Sequence, residues 1–453
     1  MIRWSYLSSG ALVRVSFCLV LLVCPLAWSQ VDTTGSDAAN PSADDAHMRV
    51  PPPVSGQPYP ATFADETESN HITYGLTLGS GYSTNVTGGT PAIGSMNYSI
   101  WPTIGLNRIT SRSQLVLNYS PGFTFYQRVS SRNQASQNLA FNFQYQLTPR
   151  LAATLQESFT KTSNILDQSN PLNETTVSGS APVPGPAIVT PIMNQISNAT
   201  TAQLNYQVSA NGMIGGSGTY STLRYPGSSN SSGLFNSQFA SGSFFYSHRL
   251  SERYTIGGTY QYQNILSYQG AGLGTRTETQ SVFGFLTIYL KPTLSVSLSE
   301  GPQHYSTTQD PLPTSAAWQP MTMVSANWQG ERTAMSFSYS RAVSGGGGLN
   351  GTFHSNSVSW SARWQTSRNW TVGASGAYTN NQSLTPLFLS SPSGHTITGA
   401  ASLQRTLTDH TTLQFGYSYA HQTYSNIAAI SNIPSTSWVF VNLNFRTERP
   451  LHR

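Results

Sequence analysis

Two carboxylates and an imidazole lie close together in one stretch of the sequence. Glu300, His304 and Asp310 fall within eleven residues, and these side-chain types perform general acid–base catalysis when a fold brings them together. The same spacing is ordinary in an exposed loop, where we expect these residues to lie. No His-Glu-x-x-His, phosphate-binding glycine loop or Gly-x-Ser-x-Gly motif occurs in the chain. We therefore expect no enzyme, no metal site and no cofactor.

Polar but uncharged residues dominate the chain. Only 9% of the 453 residues are charged, against about 25% in an average soluble protein. Ser, Thr, Asn, Gln, Gly and 23 Tyr are abundant, and 38% of the residues are hydrophobic. This composition argues against an ordinary soluble surface and against a bundle of membrane helices. It favours a protein with one face in lipid and one in water. The net charge of +5 includes no basic cluster, so no nucleic-acid partner is expected.

The first 29 residues predict an export signal. Arg3 and Arg14 flank a polar start, residues 15–26 form an apolar run, and residues 27–29 (Ala-Trp-Ser) offer small side chains at the cleavage positions. The apolar run is shorter than the ~20 residues that a membrane span needs. We therefore predict a cleaved signal peptide at residues 1–29.

The only two cysteines, Cys18 and Cys24, lie in this leader. The exported chain is thus expected to have no disulfide and no thiolate metal site. Cys24 leaves a lipoprotein anchor as an alternative, although Val23 stands where that signal has a small residue.

Residues 30–68 are rich in Pro and low in complexity, which predicts a disordered periplasmic arm. The arm acts as a spacer or, alternatively, as a tether to a periplasmic partner or the cell wall. It is too short for a globular plug, which argues against a TonB-dependent transporter.

From His71 onward, apolar and polar residues alternate with a period of two, which is typical of strands with two different faces. In the clearest segment, every second residue from Leu139 to Leu147 is apolar, and Ala, Asn or Gln lie between them. Most of the predicted short turns are about 40 residues apart, with longer connections at the opposite ends of the strands. The short turns are predicted near Thr110, Thr148, Asn211, Ser251, Lys291, Gly330, Ser367 and Thr408.

Eight short turns, with one strand before and one after the series, give an even strand count. We predict an all-β fold over residues 69–453, a single closed antiparallel transmembrane β-barrel of about 18 strands (16–18). The short turns and both chain ends would face the periplasm. Aromatic residues collect near both predicted strand ends, as at a membrane interface. They are Trp328, Trp364, Trp370 and Tyr254 at the turns, and Tyr82, Tyr126, Tyr225, Tyr268, Tyr305 and Tyr424 at the loops.

The polar face of the predicted strands consists of Ser, Thr, Asn, Gln and Gly, which suits a water-filled interior. Arg363, between Ala362 and Trp364, is the best candidate for a charge inside the pore, unless it lies so near a turn that it only decorates the rim. The pore-lining candidates are Gln144, Gln156, Gln203, Asn205, Gln207, Gln261, Arg363 and Gln414.

Glu157 breaks the pattern because it continues the apolar phase of Leu151, Ala153 and Leu155. A carboxylate facing lipid is costly. A β-bulge that reverses the phase is the favoured interpretation, and a contact between subunits is the alternative.

The leader, the two-residue repeat, the loop asymmetry and the last strand together resemble the bacterial outer-membrane β-barrels, specifically the large porin-like ones. The resemblance covers about residues 70–446. The last strand reads Trp-Val-Phe-Val-Asn-Leu-Asn-Phe and ends at Phe445, with eight residues after it. An aromatic residue at the end of the closing strand resembles the signal read by the barrel-assembly machinery. The sequence pattern also looks like that of a loosely defined group of β-barrel porins, some of which resemble parts of polysaccharide-export systems.

These features predict a pore for passive diffusion of small hydrophilic solutes in the outer membrane of a Gram-negative bacterium. Residues 66–453 carry 19 basic and 12 acidic residues, a balance of +7, so a weak preference for anions is expected. The Pro-rich segment 164–198 is the candidate constriction, with a surface loop as the alternative. The alternative functions are a conduit in an exopolysaccharide export or secretion system, and a non-conducting structural or adhesive barrel.

The expected partners are outer-membrane lipid, the barrel-assembly machinery through the strand ending near Phe445, and a periplasmic partner of residues 30–68. A homo-oligomer is also compatible with the sequence.

Overall fold

The computed structural model describes residues 70–86, 91–162, 194–226, 234–269, 273–309, 312–345, 350–384, 393–425 and 435–451. The predicted signal peptide and arm lie outside the described residues. The strands are β1 His71–Ser83, β2 Ser95–Ile109, β3 Ser113–Tyr126, β4 Gln134–Thr148, β5 Leu151–Thr162, β6 Gln195–Gln207, β7 Gly212–Arg224, β8 Asn236–Arg249, β9 Tyr254–Gln269, β10 Leu273–Lys291, β11 Leu294–Gln309, β12 Leu312–Gln329, β13 Thr333–Gly345, β14 Thr352–Ser367, β15 Trp370–Ser383, β16 Ser393–Thr408, β17 Thr411–Tyr424 and β18 Thr436–Pro450.

These 18 strands form one closed antiparallel barrel, which confirms the predicted fold class and strand number. Each strand pairs with its neighbours in sequence, and β1 pairs with β18 from His71↔Pro450 to Ser83↔Trp438. The two ends of the described barrel meet, because the backbone N–H of Leu451 donates to the carbonyl of Asn70 at 2.8 Å. A closed sheet leaves no edge within a membrane, as the absence of water there requires.

The turns on the side of the chain ends are uniformly short. Each of the eight contains two to four residues, and all lie where the sequence predicts them. We call this the turn side and the opposite end the loop side. Short turns on one side are typical of outer-membrane barrels.

The loop side is less uniform than the sequence predicts. The expected loop at residues 270–274 is only three residues long, and β11 is joined to β12 by two residues. The reason is strand length: β10 has 19 residues and β12 has 18, whereas a tilted span uses ~9–11. Part of the predicted loop is therefore strand that extends past the membrane.

The two faces of each strand differ as predicted. In β18, Val439, Leu443 and Phe445 are exposed, whereas Phe440 and Asn442 between them are buried. The same alternation follows the registers around the barrel. The exposed apolar side chains form the outer face, and the alternating Ser, Thr, Asn, Gln and Gly form the inner face. The glycines indicate independently that the sheet curves, because its inner face is more crowded than its outer face. A Cβ added on the inner face at Gly79 or Gly416 would meet atoms at 2.1–2.7 Å, whereas one on the outer face at Gly242 would meet nothing within 4 Å.

The aromatic residues at the turn side lie outward as predicted, with Trp328, Trp364 and Tyr254 all exposed. At the loop side the prediction is wrong for four of the six tyrosines. Three of them, Tyr126, Tyr305 and Tyr424, lie on the inner face of their strands, and Tyr225 is buried after the end of β7. All four are at most 6% exposed. Tyr126, Tyr305 and Tyr424 fall in the inner phase of their strands, so position near a strand end alone does not indicate which face a tyrosine occupies.

The closing strand is longer than predicted. Strand β18 continues to Pro450, and residues 446–450 pair with the start of β1. Phe445 faces outward beside Leu76 and is 48% exposed, but it does not end the strand. Its role as an assembly signal stays a prediction.

Among the described residues, no helix is long and apolar enough to span a membrane.

Candidate functional site: the barrel lumen

The inner wall of the barrel is lined by hydroxyl groups that pair across neighbouring strands. The Ser336 and Ser361 hydroxyls lie 2.7 Å apart, and those of Ser338 and Ser359 lie 2.8 Å apart. Opposed positions on adjacent strands place such side chains within reach of each other. The described inner wall is thus a neutral surface that satisfies part of its own hydrogen bonding and leaves the remaining lone pairs and protons to water or solute.

All eight predicted pore-lining residues lie on strand positions of the inner face. Gln203 donates from Nε2 to Asn205 Oδ1 at 3.0 Å. Gln414 is 1% exposed and lies beside Gly416, over which the Phe440 ring packs. The eight predicted residues therefore differ in how closely they are packed, and Gln414 belongs to the packed wall. Whether the others contact a passing solute stays a prediction. Their strands are β4, β5, β6, β9, β14 and β17.

Arg363 lies on the inner face of β14, opposite Ala334 and Gly373. It is four residues from the last residue of β14, so it lies near the turn side of the lumen. Among the described residues, the other charges on inner-face positions are also at this end. Arg249 ends β8, and Arg446 forms an ion pair of 2.8 Å with Glu448, so the middle of the wall stays neutral.

Aromatic residues of the inner wall pack over glycines instead of projecting across the lumen. A Cβ at Gly215 would lie 2.4 Å from the Phe245 ring, and one at Gly122 would lie 2.3 Å from the Trp101 ring. A glycine opposite an aromatic residue provides the space for the ring to lie against the sheet. The apolar rings therefore add to the wall without filling the pore.

One hairpin leaves the wall and enters the lumen. Strand β13 pairs with β12 only from Gln329↔Ala334 to Thr322↔Arg341, whereas β14 stays paired with β13 up to Gly345↔Thr352. Above Arg341, β13 and the start of β14 depart from β12 together. We call residues 342–345 and 350–355 the inner hairpin.

The inner hairpin contacts the inner face of nearby strands through hydrogen bonds. The Val343 N–H donates to Gln303 Oε1 at 2.9 Å, and Thr275 Oγ1 donates to Asn350 Oδ1 at 2.9 Å. The Thr277 hydroxyl bonds to that of Thr352. These wall residues belong to β11 and β10, which lie two and three strands from β13 in the sheet, so the contacts form because the inner hairpin folds over the inner face of these nearby strands.

An apolar cluster lies beside these bonds. Ala342 packs against Phe283, Met321 and Met323, which are all on the inner face of β10 or β12 and at most 8% exposed. A Cβ on Gly345 would be 3.0 Å from Ile265 Cγ2 on β9. The inner hairpin thus narrows the lumen over the strands from β9 to β12.

The sequence interpretation missed this hairpin. The predicted constriction, 164–198, lies largely outside the described residues, apart from its end at the start of β6. A usable signal was the proline content of the neighbouring strands, since Pro302 and Pro320 face each other in β11 and β12. Proline lacks an N–H for the ladder and indicates an edge, and β12 is indeed an edge above Thr322.

Glu157 faces outward, and the favoured bulge interpretation is wrong. The register between β4 and β5 runs without a break through Phe141↔Glu157, and its one shift lies earlier, between Gln146 and Thr148. The carboxylate is accommodated locally, because it accepts hydrogen bonds from Asn198 Nδ2 and Thr200 Oγ1 on β6. Hydrogen bonding lowers the cost of a polar group away from water. A subunit contact at this position stays a prediction.

The acid–base residues do not lie in a loop as expected. Glu300 and His304 are both in β11, on its outer face, where His304 lies against Trp318 with ring centroids 5.0 Å apart. Asp310 lies outside the described residues. Within the part of the chain that the structure describes, no group of three His, Cys, Asp or Glu side chains is placed to hold a metal ion.

Comparison with known proteins adds only distant likenesses. No family model matches the sequence, and no curated protein matches it significantly. Among solved structures, OpdO from Pseudomonas aeruginosa is 9% identical with a TM-score of 0.42, over 84% of this chain and 98% of that one. OccAB2 from Acinetobacter baumannii is 8% identical with a TM-score of 0.43, over 84% and 98%. The ferric-catecholate import receptor Fiu from E. coli is 9% identical with a TM-score of 0.41, over 83% and 82%. Similarity at this level gives no information on function. The barrel fold is established by the strand pairing and not by these comparisons.

Proposed function

We propose that this protein is an outer-membrane channel through which small hydrophilic solutes diffuse passively. The observation that carries the proposal is the closed 18-stranded barrel with a neutral polar inner wall. Barrels of 16–18 strands are wide enough to hold an aqueous channel. Hydroxyl and amide groups on the wall replace part of a solute's hydration without binding it tightly, which is what fast passage requires.

The outer face supports the membrane location. Large apolar residues alternate outward on the strands, and the sheet is closed, so its backbone groups are paired within the barrel. The predicted signal peptide would direct export, and the outer membrane of a Gram-negative bacterium is the compartment in which such barrels reside. Lipid and the assembly machinery are therefore the proposed partners, together with a periplasmic partner of residues 30–68 and further copies of this chain in a homo-oligomer.

Selectivity among ions is proposed to be weak and to favour anions. The middle of the described inner wall carries no charge, and Arg363 lies near its turn side. A few arginines at a pore entrance attract anions but do not exclude cations, because water screens them.

The inner hairpin favours a second candidate function. A lumen that is narrowed at rest also suits a conduit in an exopolysaccharide export system, which a periplasmic partner would open through the arm. A barrel closed by its own segments would instead be structural or adhesive. These candidates differ in whether the barrel conducts by itself.

Single-channel recording in a planar bilayer tests the proposal. The mature chain and a variant lacking residues 30–68 are compared after both are shown to be folded by their heat-dependent mobility on a gel. We expect the same steady conductance in both forms, because the channel needs only the barrel. Current that requires deletion of the arm would support the conduit. Absence of current, together with absence of solute uptake into liposomes, would contradict the channel.

A further inference from the structure

Where β13 departs from β12, the facing edges of these two strands lack the backbone hydrogen bonds that would join them. Continuing the register of the lower half would pair Ala342 with Met321 and Val343 with Pro320. Instead, the Val343 N–H bonds to the side chain of Gln303, which is 1% exposed. A side-chain acceptor thus substitutes for the missing strand, and the backbone donor is satisfied in the lumen position.

The described hydrogen bonds between the inner hairpin and β10–β11 all involve side chains of that wall. They come from Thr275, Thr277 and Gln303. These three side chains are at most 2% exposed beneath the hairpin, and water that entered as the hairpin moved away would replace the hydrogen bonds that they lose. The rest of the barrel is held by backbone ladders of eight or more residue pairs on every seam. The described hydrogen bonds that keep the hairpin inside are therefore made by side chains and not by a backbone ladder.

Two polar atoms beneath the hairpin would gain hydrogen bonds if it moved away. Gln303 Nε2 and Ser281 Oγ are buried and have no hydrogen-bond partner among the described residues. Buried polar groups in proteins are almost always paired, so each unpaired one marks a place where the packed state is disfavoured. Water that entered as the hairpin moved away would satisfy both atoms.

The alternative position is also incompletely satisfied. Resuming the β12–β13 ladder would place Val343 opposite Pro320, which has no N–H to donate. It would also separate Ala342 from Phe283 on β10. Each position therefore gains one set of contacts and loses another, which is the condition for two conformations of similar stability.

We infer that the inner hairpin is the size-limiting element of the channel and that it moves aside while the lower seam stays paired. The inference rests on the proposed function. Residues Thr275, Thr277 and Gln303 are the side chains that set the limit by holding the hairpin against the inner face of β10 and β11. Solutes small enough to pass the resting hairpin would enter at all times, and larger neutral solutes would enter only when it is displaced.

A shortened hairpin tests the inference directly. In this variant, Asn-Gly replaces residues 344–353, because Val343 and His354 are paired and a two-residue Asn-Gly turn closes such a hairpin. The full mature chain is otherwise retained, and its folding is verified by gel mobility. We expect a several-fold larger single-channel conductance and uptake of larger neutral oligosaccharides into liposomes.

A cysteine pair provides a second measurement that keeps all residues of the hairpin. The exported chain is expected to contain no cysteine, so Thr277→Cys with Thr352→Cys introduces one defined disulfide between hydroxyl positions that are in direct contact. The matched control is Thr308→Cys with Thr314→Cys, since these hydroxyls lie 3.4 Å apart within the β11–β12 hairpin. We expect the parent and the control to switch between two conductance levels, and the oxidised Thr277–Thr352 pair to show only the lower one until it is reduced.

The outcomes separate the inference from the proposed function. If the parent conducts, and the shortened variant and the oxidised pair keep its conductance and size limit, the hairpin does not limit passage and the inference is wrong while the channel stands. If all variants are folded but none conducts or admits solute, the proposed function itself fails.

Discussion

Gly257→Val is expected to prevent most of the chain from reaching the folded barrel. A Cβ at Gly257 would lie 2.2 Å from the Phe285 ring and 2.3 Å from the backbone oxygen of Tyr246. The ring could turn, but the backbone oxygen belongs to the ladder between β8 and β9 and cannot yield without breaking it. Overpacking of this kind costs about 3 kcal/mol or more when the surroundings cannot relax.

The next residue in the same strand provides the control. Gly258 faces outward, and the nearest atom to an added Cβ is the Phe283 backbone oxygen at 3.8 Å, an ordinary contact. Gly258→Val should therefore fold as well as the parent or better, because valine favours strands. The measurement is the folded fraction after refolding into lipid, followed by the urea midpoint of each variant. Equal folding of the two variants would show that the inner face tolerates a side chain at Gly257.

Arg363→Glu is expected to weaken the anion preference of the channel. The substitution replaces one of the positive charges near the turn side of the inner wall with a negative one, while Arg249 and the Arg446–Glu448 pair remain and the described middle of the wall stays neutral. The preference of a wide pore follows the sign of its few fixed charges. The measurement is the reversal potential in a salt gradient, which should move toward the cation side, with a smaller effect at high salt because of screening.

Arg405→Glu is the matched control for this prediction. Arg405 lies on the outer face of β16, where its guanidinium carbon is 5.3 Å from the centre of the Trp370 ring. The same change of charge outside the lumen should leave the reversal potential unchanged. A shift of equal size in both variants would mean that the reversal potential reports the overall charge of the barrel and not a charge inside the pore.

Strand periodicity was predictable because the two faces of the sheet meet different surroundings. Residues 139–147 alternate so strictly that their assignment to a strand needs no other information, and the structure places them in β4. The strand count followed from the turns, since an antiparallel neighbour in sequence requires only a short connection. Closure then followed from the need to pair every backbone group within lipid.

The inner hairpin was not predictable from the same pattern. Residues 342–345 continue the alternation of β13, and nothing in their period distinguishes a strand in the wall from one that has left it. The position of the hairpin depends on the partner of each strand edge, and here that partner is a contact with β10 and β11 that lies 40–75 residues away in sequence. Period-two patterns carry no information on such contacts, although Pro320 indicates an edge.

Glu157 shows the opposite error. Its position in the apolar phase was read correctly, but the cost of a carboxylate in lipid favoured a bulge. The side chains that offset this cost, Asn198 and Thr200, come from β6, more than 40 residues later. Glu157 therefore does lie in the outward phase that the local pattern indicates. Only the hydrogen bonds that compensate for its charge come from residues distant in sequence.

The pairing of β1 with β18 also bears on how the chain can reach its final state. The seam joins His71 to Pro450 and continues for 13 residue pairs, so its partners are separated by almost the whole chain. The entropy lost on joining distant segments grows only slowly with their separation, but the joining cannot begin until the last strand has been delivered. A polypeptide interrupted anywhere before residue 436 would retain two unsatisfied edges. Completion of synthesis and export is thus a condition for a finished barrel, and a truncated product would stay open to proteolysis instead of forming a smaller pore.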